Sequence, residues 1–67
     1  MNRYLEIGIK AFIPEVQNKL REVMTENDYI QVPDEEPESY NDTLETVCGI
    51  RLTYGDLDRD VLDMLGW

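Results

Sequence analysis

Apolar positions in the first third of the chain follow two competing periods. Leu5, Ile7, Ile9 and Ala11 alternate with Glu6, Gly8 and Lys10, which is the period of a half-buried strand. Leu5, Ile9, Phe12/Ile13, Val16, Leu20 and Val23/Met24 also step by three and four, which makes one helical stripe. Gly8 weakens a helix, and Pro14 disfavours helical backbone at Ile13 while fitting the first turn of a helix that begins after it. The longer period predicts a short helix over 3–12, a break at Ile13-Pro14 and a second helix over 14–26. Glu15 suits the positive end of that second helix, and Asn27 is placed to close it in a left-handed conformation.

Beyond Asn27 the periodicity lapses. Tyr29-Ile30-Gln31-Val32 reads as a short strand or an apolar anchor. Pro33 and Pro37 then bracket Asp34-Glu35-Glu36, followed by Glu38. Neither a helix nor a central strand accommodates that stretch, so an exposed acidic loop is predicted over about 33–41. Asp42-Thr43-Leu44-Glu45 has the form of a capping box, and Leu44, Val47 and Cys48 give the short helix it predicts an apolar face, with Gly49 as its stop. Cys48 is expected to be buried on that face. Ile50-Arg51-Leu52-Thr53-Tyr54 alternates and fits either a strand or a turn. A last helix is predicted from near Asp56 to Leu65, capped by Thr53 or Asp56, with Leu57, Val61, Met64 and Leu65 as its stripe and Gly66 as its stop. No internal repeat is visible.

The fold these elements predict is mainly α, with three to four short helices around one small core. The alternative is α+β, a small antiparallel sheet from strands near 4–12, 29–32 and 50–54 with helices near 14–26 and 56–65. Sixty-seven residues suffice for a single domain (1–67) and leave little stability in reserve. A homodimer would add burial and is compatible with the pattern.

Charge changes the picture most. Residues 1–26 carry four acids and four bases, whereas residues 27–67 carry eleven acids against Arg51 and Arg59, so the formal charge of −9 lies wholly in the later part. Such a field repels nucleic acid and attracts basic surfaces. Asp56, Asp60 and Asp63 fall at i, i+4 and i+7 with Asp58 beside them, and on one helix their axial steps would be about 6 and 4.5 Å. That is of the order of phosphate spacing along a nucleic-acid strand. Like charges at such spacing weaken a helix, and the other reading of these residues is simply a solvated face.

Several chemistries lack material. The chain has no histidine and one cysteine, which excludes a conventional zinc site, a disulfide within the chain and a histidine-based hydrolase. Asp56-x-Asp58-x-Asp60 opens like an EF-hand loop, but Val61 stands where the glycine is needed and Trp67 where the bidentate glutamate is needed. No phosphate-cradling glycine loop is present. The chain is therefore expected to be no enzyme, to need neither cofactor nor metal, and to bind no nucleic acid directly. With no secretory pattern and no apolar run of membrane-spanning length, it is expected to be cytoplasmic and to engage no membrane.

What remains is an acidic binding surface. Asp56, Asp58, Asp60 and Asp63 are its candidate phosphate substitutes, and Glu35, Glu36 and Glu38 a flexible second contact with Glu45 nearby. Tyr40 and Trp67 are candidate anchors, because such rings concentrate at binding hot spots. The expected partner is the basic surface of a larger, nucleic-acid-binding protein, which the chain would inhibit or modulate. In composition, though in no motif, it is similar to the small acidic DNA-mimic proteins of bacteriophages and mobile elements that block restriction, CRISPR or repair enzymes. The alternative function is a structural or adaptor module that binds through apolar and aromatic surface.

Overall fold

The computed structural model describes residues 3–67. Strand β1 (Tyr4–Gly8) runs into a 3₁₀ turn (Ile9–Ala11) and helix α1 (Pro14–Leu20). Strands β2 (Tyr29–Pro33), β3 (Thr43–Val47) and β4 (Ile50–Thr53) follow, then a second 3₁₀ turn (Tyr54–Asp56) and helix α2 (Arg59–Leu65). β1 pairs antiparallel with β2, from Tyr4 opposite Pro33 to Gly8 opposite Tyr29. β3 and β4 form a separate antiparallel hairpin, with a bulge between Thr43 and Glu45.

Over the described residues the architecture is α+β, with two α-helices and two small sheets, and the mainly α expectation of three to four helices is overturned. Period two prevails over residues 4–8 because β2 supplies a partner: Leu5 and Ile7 stand opposite Val32 and Ile30, so one face of the pair turns its branched side chains into the core. The helix expected over 14–26 stops at Leu20. The chain must return to pair with β1, and the Asp28 carboxylate draws it round by accepting from the Thr25 amide at 2.8 Å and hydroxyl at 3.1 Å. Asn27 is not left-handed; Cys48 is the non-glycine residue with positive φ among those described.

The helix expected after Asp42 is strand β3 instead. Its apparent capping box serves a turn, in which Asp42 accepts from the Ser39 amide at 3.1 Å. Cys48, expected on a buried face, is exposed. With φ 49° there and 85° at Gly49, the pair forms the two-residue connection of the β3–β4 hairpin, whose twist calls for positive φ at both positions.

The core comprises Ile7, Ile9, Phe12, Val16, Leu20, Val32, Leu44, Leu52, Tyr54, Leu57 and Leu62, drawn from every named helix and strand. At its centre the two halves of the chain meet in a reciprocal pair of hydrogen bonds: Ile13 N–H donates to Asp56 C=O at 2.9 Å and Asp58 N–H to Ala11 C=O at 2.8 Å. Phe12 and Leu57 lie opposite each other between these bonds. Each half repeats one local order, a strand, a 3₁₀ turn, a bridging apolar residue and a helix. Some equivalent positions match, such as Val16 and Val61 or Leu20 and Leu65, but others carry unlike side chains, such as Ile9 and Tyr54 or Pro14 and Arg59, which hides the repeat in the sequence.

Candidate protein-binding surface

The acidic loop is fastened at both ends. Asp34 N–H donates to Arg3 C=O at 2.9 Å where the loop leaves β2. At the far end Gly55 N–H donates to Tyr40 C=O at 2.9 Å, and Tyr54 N–H to Asp42 C=O at 3.2 Å. A Cβ on Gly55 would lie 3.2 Å from that Tyr40 oxygen, so a larger residue would press on the Tyr40 backbone by a few tenths of an ångström. Arg51 adds a clasp, donating from Nη2 to Asn41 C=O at 3.0 Å and from Nε to Thr43 Oγ1 at 2.8 Å.

Trp67 is held by the end of α2. Gly66 adopts φ 80°, Gly66 N–H donates to Asp63 C=O at 3.2 Å and Trp67 N–H to Leu62 C=O at 2.9 Å. This is the Schellman arrangement, which commonly packs the residue after the glycine back onto the helix. Trp67 meets Tyr54 edge to face with centroids 5.4 Å apart, and Tyr40 Oη donates to the Trp67 main-chain oxygen at 2.5 Å. An open cavity of about 260 Å³ lies between loop and tryptophan, lined by Glu36, Pro37, Glu38, Ser39, Tyr40 and Trp67.

Four of the expected partner-binding residues, Glu36, Glu38, Tyr40 and Trp67, thus come together. Glu35 is exposed on the same loop. Its charge reaches Tyr54, whose phenol pKa is raised first by burial and then by the carboxylates of Glu35 and Asp42. The cavity also contains Pro37, legible in the sequence only as a bracket of the acidic loop, and Ser39, which carries no such mark. The Ser39–Asp42 turn was the available signal for Ser39, since serine and aspartate favour such turns.

The aspartates near α2 do not form the expected ladder. Asp56 precedes the helix, in the 3₁₀ turn, and its carboxylate accepts from the Thr53 amide at 2.9 Å and hydroxyl at 3.2 Å. Asp58 is the N-cap and accepts from Asp60 N–H at 2.9 Å. These are capping duties, which extended backbone at Leu57 and the later start of α2 impose. Asp60 and Asp63 are exposed, and Asp63 lies 4.0 Å from Arg59 in a solvated pair. The buried residue of α2 is Leu62, while Met64, expected in the apolar stripe, is 79% exposed. Glu45 sits at the β3 bulge and accepts from its neighbour Thr46 N–H at 3.0 Å; it does not line the cavity.

No protein-family model matches this chain. Nor does any curated protein or solved structure show significant similarity to it. Among the described residues no group of three or more His, Cys, Asp or Glu is arranged to hold a metal ion, and no helix is long and apolar enough to cross a membrane.

Proposed function

We propose that this chain is a protein-binding inhibitor or modulator that acts in the cytoplasm, without catalysis of its own, by occupying a basic surface of a larger, nucleic-acid-binding protein. The observation that carries this reading is the convergence of Glu36 and Glu38 with Tyr40 and Trp67 around one open cavity. Carboxylates steer a cationic partner, and rings slow its departure. The rest of the acidic surface is available to add to that steering. Among the described residues just two ion pairs occur, Arg21–Glu26 and Arg59–Asp63, both exposed, in a chain of net charge −9.

A phosphate-like ladder on α2 is not part of the proposal, because Asp56 and Asp58 are engaged as caps. Asp60 and Asp63 contribute long-range attraction. Glu36→Lys/Glu38→Lys is expected to weaken capture of the basic partner by about tenfold or more and to restore its nucleic-acid binding, whereas Asp60→Lys/Asp63→Lys costs less and acts mainly on the association rate. Affinity measured from low to high salt checks this. Affinity indifferent to salt and to both double variants would sink the proposal in favour of an adaptor that binds through its aromatic surface, for which Trp67 and the exposed Tyr40 and Tyr4 are candidates, joined by exposed Tyr29 on the same sheet face as Tyr4.

A further inference from the structure

The cavity between the acidic loop and Trp67 has a size and a chemistry that select one kind of occupant. Its volume of about 260 Å³ falls below the roughly 300–1,000 Å³ of pockets for drug-sized ligands, a size that suits a single side chain. Its lining combines two carboxylates, two aromatic residues, a proline and a serine, without a basic group. An anion would find repulsion there, and an aliphatic side chain would desolvate Glu36 and Glu38 without return.

We propose that this cavity is the receptor for a single arginine side chain of the basic partner, with the guanidinium against the Trp67 and Tyr40 rings and its N–H groups toward Glu36 and Glu38. The planar guanidinium both stacks on aromatic faces and donates in a fork to carboxylates, and a lysine ammonium does the two together less well. The site is preorganised on the protein's side. Tyr40 is fixed by the Tyr40 Oη bond to the Trp67 oxygen and by the Gly55 bond to its carbonyl. Trp67 is fixed by the helix-end hydrogen bonds and by Tyr54. The Glu35 and Asp42 carboxylates, which after burial raise the Tyr54 pKa, add negative potential near the ring on which Trp67 packs. This specific site presupposes the basic-partner function proposed above and adds where the partner's key side chain goes.

The test uses the full chain and a blocked Gly-Arg-Gly peptide, with Gly-norleucine-Gly as control, followed by amide and indole NMR shifts. Trp67 is the sole tryptophan, so its indole signal is unambiguous. Saturable shifts at residues 36–40 and Trp67 with the arginine peptide, and none with the control, are expected. Glu36→Gln/Glu38→Gln, at exposed positions that leave the fold intact, should weaken the arginine peptide about fivefold or more. Equal shifts from both peptides, or arginine shifts spread evenly over Asp60, Asp63 and the loop, would overturn the proposal. If the partner binds wild type and the glutamine variant alike, the arginine site fails while the basic-partner function stands. If the arginine peptide seats as expected but no basic protein is retained at low salt, it is the function that fails.

Discussion

Carboxylates of one chemical kind do quite different work in this molecule. Asp28, Asp42, Asp56 and Asp58 each accept main-chain N–H groups and shape turns or helix starts. Glu36 and Glu38 line an open cavity instead. The difference lies in reach: a short aspartate side chain can return to its own backbone two or three residues away, as N-caps and Asx turns require. Tyr54 is the residue at which burial and this acidic surface act together. Both favour its neutral phenol, so the folded state holds that proton more tightly than the unfolded chain does. The resulting stability is complete below the ordinary tyrosine value of 10.0 and is lost as pH rises above it through the folded pKa. Urea midpoints measured from pH 9 to 11 should therefore fall, and Tyr54→Phe should flatten that fall. An equally steep decline in the variant would show that Tyr54 is not its source.

At the scale of elements, the β3–β4 hairpin contains a local conflict. Its two-residue connection requires positive φ at Cys48 and Gly49, and a side chain in that conformation costs about 1–2 kcal/mol unless it is Asn or Asp. Cys48→Asn produces the Asn-Gly pair that such hairpins favour. It should stabilise the protein by a few tenths to about 1 kcal/mol, read as a higher urea midpoint at unchanged slope. A lower midpoint would mean that the exposed thiol makes a contribution the hairpin geometry does not explain. Helices α1 and α2, each of seven residues, are too short to be stable alone. They persist because Leu20 and Leu62 lock them into the shared core and because Pro14 at one start and Asp58 at the other supply the right first turn.

For the whole molecule, charge opposes the core. The described chain measures 31 × 24 × 20 Å, and the screening length at 10 mM salt is about 30 Å. Under those conditions nearly every carboxylate repels nearly every other. At 0.5 M salt the repulsion is confined to close neighbours. Stability should therefore rise on the order of 1 kcal/mol between these conditions, while binding of a basic partner weakens over the same range. Chemical denaturation at the two salt concentrations checks the first expectation; unchanged stability would show that the acids are spaced too widely to repel. Opposite responses of folding and binding to salt are what an acidic surface kept for a cationic target would show.

The sequence by itself determined the local matters. Pro14 marked a helix start, the two prolines and four acids over 33–38 marked an exposed loop, and Gly66 marked a helix end, because each acts through its own backbone or its immediate neighbours. Local pattern alone fits 29–32 to a strand or an apolar anchor and 50–54 to a strand or a turn; pairing with β1 and β3 decided both as strands. Tertiary structure decided which period residues 4–8 would obey, since Leu5 and Ile7 satisfy a helix stripe and a strand face equally until β2 arrives to pair with them. It also decided that Asp42 would shape a turn ahead of a strand and that Asp56 and Asp58 would become caps. The gathering of Glu36, Glu38, Tyr40 and Trp67 was legible only as a list of types. Their meeting rests on the Gly55 hydrogen bond to the Tyr40 carbonyl and on α2 returning Trp67 to Tyr54, contacts between segments far apart in the chain that no local pattern encodes.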